Sequence, residues 1–65
     1  MNIWKKYEEN KPEPYDIVRV AFYKNEGDTV FTTRVAQFVL PDSFITIREN
    51  PSIIKNEVIM WIKLA

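Results

Sequence analysis

Apolar and polar positions alternate most clearly between Ile17 and Tyr23. Val18, Val20 and Phe22 fall on one side of an extended chain, and Ile17, Arg19, Ala21 and Tyr23 on the other. This is the period of a β-strand with one face on a core. Lys24-Asn25-Glu26-Gly27-Asp28 reads as a turn, with Gly27 supplying the positive φ of a hairpin loop. Val30 to Leu40 is a long β-branched and aromatic strand that pairs back on the first. Its pattern is split: Ala36, Phe38 and Leu40 point inward in one frame, Phe31, Val35 and Val39 in the other. A bulge near Thr33-Arg34 would reconcile the two. Pro41-Asp42-Ser43 is a tight turn, Phe44 to Arg48 a third short strand, and Glu49-Asn50-Pro51-Ser52 breaks it. Ser52 is placed to cap one helical turn through Ile53, Ile54 and Lys55. The last strand, Glu57 to Leu64, is apolar on both faces from Val58 to Ile62, the pattern of a strand buried on both sides.

Ahead of these strands, Trp4 to Pro14 form an arm. Trp4 and Tyr7 are spaced to share a face of one helical turn, with Lys5 and Glu9 an i,i+4 pair. Pro12 and Pro14 end any helix and extend Lys11 and Glu13. The pattern predicts one small domain over 1–65, an arm (1–14) followed by an antiparallel β-sheet (15–65). The fold class is all-β, or β-rich α+β: a four-stranded antiparallel meander, open and barrel-like, with at most one short helical turn. The expected core is Val18, Val20, Phe22, Ala36, Phe38, Val58, Met60 and Ile62, closed by Trp4 and Trp61. Ile17, Ala21, Tyr23, Val35, Val39, Ile59 and Trp61 lie off the best inward set. Either curvature and the arm bury them, or they form an apolar dimer or partner surface.

Composition narrows the means of stabilisation. In 65 residues there is room for one small core, and no cysteine or histidine to supply disulfides or structural zinc. Two tryptophans, three tyrosines and four phenylalanines make dense aromatic packing, or oligomerisation, the available routes. Nine basic and nine acidic residues cancel, so no long-range field gathers nucleic acid. Ile3-Trp4 is followed at once by charged residues, which is no signal-peptide pattern, and Val58 to Ile62 is too short to span a bilayer. A cytoplasmic protein without a membrane partner is expected.

Trp4, Pro12 or Pro14, Val18-Arg19-Val20, Ala36-Gln37-Phe38 and Val58-Ile59-Met60-Trp61-Ile62-Lys63-Leu64 together resemble a family of short phage and prophage proteins of unknown function. In that family an N-terminal tryptophan precedes a proline turn and a hydrophobic strand. An alanine-x-aromatic element follows, and a valine-x-x-tryptophan-x-x-leucine strand closes the chain. Here Lys63 and Ala65 replace prolines usual around the closing leucine, and Met60 stands where a polar residue, often histidine, is common. The resemblance implies a phage or prophage origin and a small β fold, and with that origin the expected cytoplasm is that of a bacterial host. It implies no activity.

Catalytic parts are scarce. Without His or Cys there is no imidazole base, thiolate or ordinary transition-metal site. Ser43 and Ser52 sit in proline turns, where capping is their expected task, and Glu26 and Asp28 around Gly27 lack the ligand run of a calcium loop. No enzyme activity, cofactor or metal is expected. A protein-binding accessory factor fits better, one that docks on a host or phage protein and inhibits it, with Tyr7, Tyr15, Arg19, Tyr23 and Arg34 as candidate contacts. The alternatives are a small nucleic-acid-binding domain using Arg19, Tyr23 and Arg34, and a structural homodimer piece of a larger assembly. Nucleic acid is the less favoured partner on a neutral chain. For the arginines the plain alternative is pairing with Glu13 or Asp16.

Overall fold

The computed structural model describes residues 3–48 and 50–64. Strands β1 (Lys5–Lys6), β2 (Ile17–Phe22), β3 (Thr32–Val39), β4 (Ser43–Thr46) and β5 (Val58–Lys63) form one open antiparallel sheet in the order β1-β5-β2-β3-β4. No described residue is helical. The fold is therefore a small all-β domain. Strands β2, β3 and β4 make the expected meander, while β5 returns to the far side of β2 and carries β1 along its outer edge.

The first hairpin follows its sequence signals. Gly27 has φ +88°, the Asp28 amide donates to the Asn25 carbonyl (3.2 Å), and the Asn25 amide donates to the Asp28 carboxylate (2.9 Å). The β2–β3 register runs unbroken from Ile17 opposite Gln37 to Phe22 opposite Thr32, so the bulge expected near Thr33-Arg34 is not there. It lies between β2 and β5 instead. Ala21 faces Met60 whereas Phe22 faces Val58, so one step on β2 spans two on β5.

That slip sets which side chains of β5 reach the core. Val58 and Trp61, three residues apart, both point inward and are 7% and 4% exposed. Met60 and Ile62, expected inside, are half-buried on the opposite face, across from Ala21 and Arg19. Trp4 does not close the core either. It is 39% exposed and lies beside Ala21, Phe31 and Met60 on that opposite face. Leu40, expected inward, is exposed in the β3–β4 turn, where the Leu40–Pro41 peptide is cis.

The core proper joins Val18, Val20, Phe22, Ala36, Phe38 and Phe44 to Val58 and Trp61. A lone sheet leaves such a face open, and two irregular segments cover it. One is the arm: Glu9 and Asn10 amides both donate to the Lys6 carbonyl (3.1 and 3.0 Å), closing one turn with a Lys6–Glu9 ion pair (3.9 Å) rather than the expected Lys5–Glu9 pair. That turn drops the Tyr7 ring edge-on against Phe44 (5.6 Å) and Phe38 (6.4 Å) and leads to a buried Pro12. The Trp61 indole N–H donates to the Asn10 carbonyl (2.8 Å), fixing the arm across the core.

The second cover is the segment before β5. Residues 53–55 do not form a helical turn. The Thr46 amide donates to the Ser52 carbonyl (3.0 Å), the Ile54 amide to the Phe44 carbonyl (2.9 Å), and Ile53 bridges Ile45. The Ser52 amide is held by the Thr46 hydroxyl (3.1 Å), so Ser52 pairs back onto β4 instead of capping a helix, and Ile54 packs on the core.

Between the two covers sits a polar staple. Lys11 Nζ lies 2.6 Å from Asp42 Oδ1, and the Tyr7 hydroxyl donates to the same oxygen (3.1 Å). The Lys11 hydrogen bond, then that from Tyr7, holds the Asp42 carboxyl below its ordinary range. Burial first, then Asp42, raises Tyr7, and the Asp42 hydrogen bond raises Lys11.

Two outcomes follow from this packing. Trp61→Ala destabilises by about 3–5 kcal/mol, whereas Trp4→Ala costs far less, as read by denaturant midpoints; comparable losses would put the two rings in the wrong places. Because Asp42 has a lower pKa folded than unfolded, the staple contributes above about pH 4 and is lost as pH falls through the folded value. The raised Tyr7 and Lys11 values confine their loss to the alkaline side, above about pH 10. The acid-induced drop in Tm is accordingly shallower in Asp42→Asn than in the parent, and superimposable acid profiles would show that the staple does not contribute.

Candidate functional site

Residues directly opposite each other on neighbouring strands share a face. Arg19 is opposite Val35 and Ile62, and Ala21 is opposite Thr33 and Met60. These six therefore lie on one side of the sheet, away from the core. Trp4 and Phe31 complete an apolar concavity of about 300 Å³ with Ala21, Thr33 and Met60. Tyr23 stacks on Phe31 (ring centroids 4.6 Å apart, planes at 23°) and stays 40% exposed. The Asn56 amide donates to the Tyr23 and Lys24 carbonyls (both 3.1 Å), pinning this end of the hairpin. The second face is partly self-covered: Ala21 and Val35 are buried, and Ile17, Val39 and Ile59 half-buried. Trp61, assigned off the inward set by its pattern, belongs to the core.

Next to the apolar concavity, and sharing Thr33 with it, lies a smaller one of about 160 Å³. All three arginines of the chain, Arg19, Arg34 and Arg48, line it, together with the threonines Thr33 and Thr46 and with Val35. Arg19 comes from the outer face of β2. Arg34 comes from the core side of β3, opposite Val20, but its guanidinium folds back to donate to the Thr33 carbonyl (2.7 Å). The amide and carbonyl of Phe38 both bond toward β2, to Asp16 and Tyr15. Alternation then aims Thr33 at the β4 side. Arg34 thus sits on the sheet's edge, beyond the end of β4.

Arg48 reaches the same place through the register of the second hairpin. Ala36 is opposite Thr46, so two further steps on each strand would set Arg34 directly opposite Arg48. Like charges in that position destabilise a sheet, and β4 ends at Thr46 before reaching it. No ion pair to any of the three arginines occurs among the described residues. Asp16, expected as a partner, lies 3.8 Å from Lys63 and accepts the Glu13 amide (3.1 Å). Three guanidiniums around one concavity can hold an oxyanion through charge-assisted hydrogen bonds.

The structure brings Arg19 and Arg34 together as candidate contacts and sets Tyr23 on the same face as Arg19, stacked on Phe31, which lines the neighbouring concavity. It separates the other two. Tyr7 is on the core side, half-buried against Phe38 and Phe44. Tyr15 stands beyond the opposite end of β2 from Tyr23, 62% exposed, with φ +68°. Its main chain is held there by the Phe38 carbonyl (2.8 Å) and the Gln37 amide (3.1 Å). The residues the sequence did not single out are Arg48, Trp4, Phe31 and Met60. Only the hairpin register could have signalled Arg48.

In comparisons with known protein families, curated proteins and solved structures, the chain matches none. Among the described residues no helix is long and apolar enough to cross a membrane.

The arginine cluster has a stability consequence. Arg48→Glu replaces a like-charge neighbour of Arg34 with an opposite one, and stabilises by about 0.2–1 kcal/mol. A small rise in the urea midpoint with an unchanged m-value is the expected result. A fall would show that Arg48 does not approach Arg34.

Proposed function

We propose that this protein is a non-catalytic binding module that engages a partner protein through the outer face of its sheet. The observation carrying this reading is the adjacency of half-exposed Trp4 and Tyr23, an apolar concavity and arginines with no ion pair among the described residues. Tryptophan, tyrosine and arginine are the side chains that dominate binding hot spots. The arginines give the face its complementarity: they call for a partner with acidic groups. The sequence resemblance supports a phage or prophage origin; with it, the reading becomes an accessory factor that docks on a host or phage protein in the bacterial cytoplasm and inhibits it.

A nucleic-acid-binding reading draws on the same three arginines. Against it stand the zero net charge and the confinement of the arginines to one concavity, where a strand needs a row of phosphate contacts. Tyr23 and Phe31 also cover one face of each other's ring, which leaves less platform for bases.

The test uses tagged protein in nuclease-treated bacterial lysate, with Trp4→Ala/Phe31→Ala and Tyr15→Ala compared with the parent. One stoichiometric protein should co-purify with the parent and with Tyr15→Ala, fail with the double variant, and re-form a complex when purified. Capture that ignores the face substitutions, in variants shown to be folded by their melts, would overturn the proposal.

A further inference from the structure

We infer that the Arg19–Arg34–Arg48 concavity is a carboxylate-binding site, and that the partner is an extended acidic segment with a nearby apolar or aromatic side chain. This rests on the protein-binding reading above and specifies its partner.

The first ground is convergence. Arginines from β2, from β3 and from the segment after β4 meet around about 160 Å³, and they are the chain's full set. The second is that no ion pair to any of them occurs among the described residues, whereas Asp16 and Asp42 engage lysines elsewhere. The third is the strand register, which directs Arg34 and Arg48 at each other and ends β4 just short of that contact. Continued pairing would put these like charges directly opposite, which destabilises a sheet, and the free protein stops the strand before that point. An anion between the guanidiniums turns the repulsion into a set of charge-assisted hydrogen bonds.

The geometry also sets the partner's pattern. Thr33 lines both concavities, and Arg19 and Ala21 are alternate residues of one strand. The anionic and apolar sites are thus roughly 7 Å apart along β2. An extended peptide spans that distance in about two residues, so its acidic cluster lies close in sequence to its apolar anchor. With three positive charges to meet, more than one carboxylate is required.

The test is an NMR titration of the full chain with two capped peptides and oligothymidylate. One peptide carries a run of glutamates followed shortly by phenylalanine, and the other has glutamines in place of the glutamates. The glutamate peptide should bind at least about tenfold more tightly, shifting the Nε–H signals of the arginines and the Met60 methyl. In Arg34→Gln/Arg48→Gln that advantage should vanish while the weaker glutamine-peptide binding stays the same. Equal binding of the two peptides at Trp4 and Met60 would overturn the carboxylate site but leave the protein-binding face standing. Oligothymidylate binding more tightly than either peptide, through the arginines, would overturn both. Unmoved arginine signals with glutamate peptide at millimolar concentration would overturn the site, and a thermal melt of the double variant guards against misfolding.

Discussion

The indole of Trp61 holds the two halves of this molecule in register. Its ring fills the core opposite Val20, and its N–H is satisfied by the Asn10 carbonyl at 2.8 Å. A buried donor without a partner costs about 1–3 kcal/mol, so the arm must lie where Asn10 can accept. Once it does, Tyr7 falls against Phe38 and Phe44, and Lys11 comes within reach of Asp42. Arm, core and β3–β4 turn are therefore positioned by one residue of the closing strand. Trp61 points inward because it stands opposite Val20, and a one-residue slip beyond Met60 brings Val58 to the same side.

The same slip marks the limit of what the amino-acid pattern reveals. Strand β2 alternates cleanly, and its face assignment can be read directly: Val18, Val20 and Phe22 are all buried. Gly27 likewise announces its turn. From Val58 to Ile62, however, every side chain is apolar, and a run without alternation carries no information about which residues face inward. The expected frame put Met60 and Ile62 in the core and paired Trp4 with Trp61. The bulge reverses part of that frame and leaves Trp4 on the outer face. Ser52 misleads for a different reason. A serine ahead of Ile53 and Ile54 looks like a cap, but its amide finds the Thr46 hydroxyl across the turn, a contact set by tertiary pairing.

Candidate contacts were legible to the extent that they lie on alternating strands. Arg19 and Tyr23 share a face in the pattern and in the fold. Arg48 was hidden because its role depends on the β3–β4 register, which places it near Arg34 only once Ala36 is known to face Thr46. Tyr7 and Tyr15 looked alike as exposed tyrosines, yet one is drawn into the core by the arm's turn and the other is carried beyond the end of the sheet.

The two faces of the sheet obey opposite rules. On the core side every irregularity is resolved by a partner: an indole by a carbonyl, a hydroxyl by an amide, a lysine by a carboxylate. The outer side, with the sheet edge beyond β4, leaves like charges gathered and aromatic rings half in water. A domain of this size has stability on the order of 5 kcal/mol or so, and a repulsive cluster of a few tenths to one kcal/mol is a noticeable fraction of it. Replacing one arginine with an acid would remove the repulsion without disturbing the core. The cluster stands beside the face that exposes Trp4 and Tyr23, and this adjacency is the ground on which we propose a negatively charged partner for it.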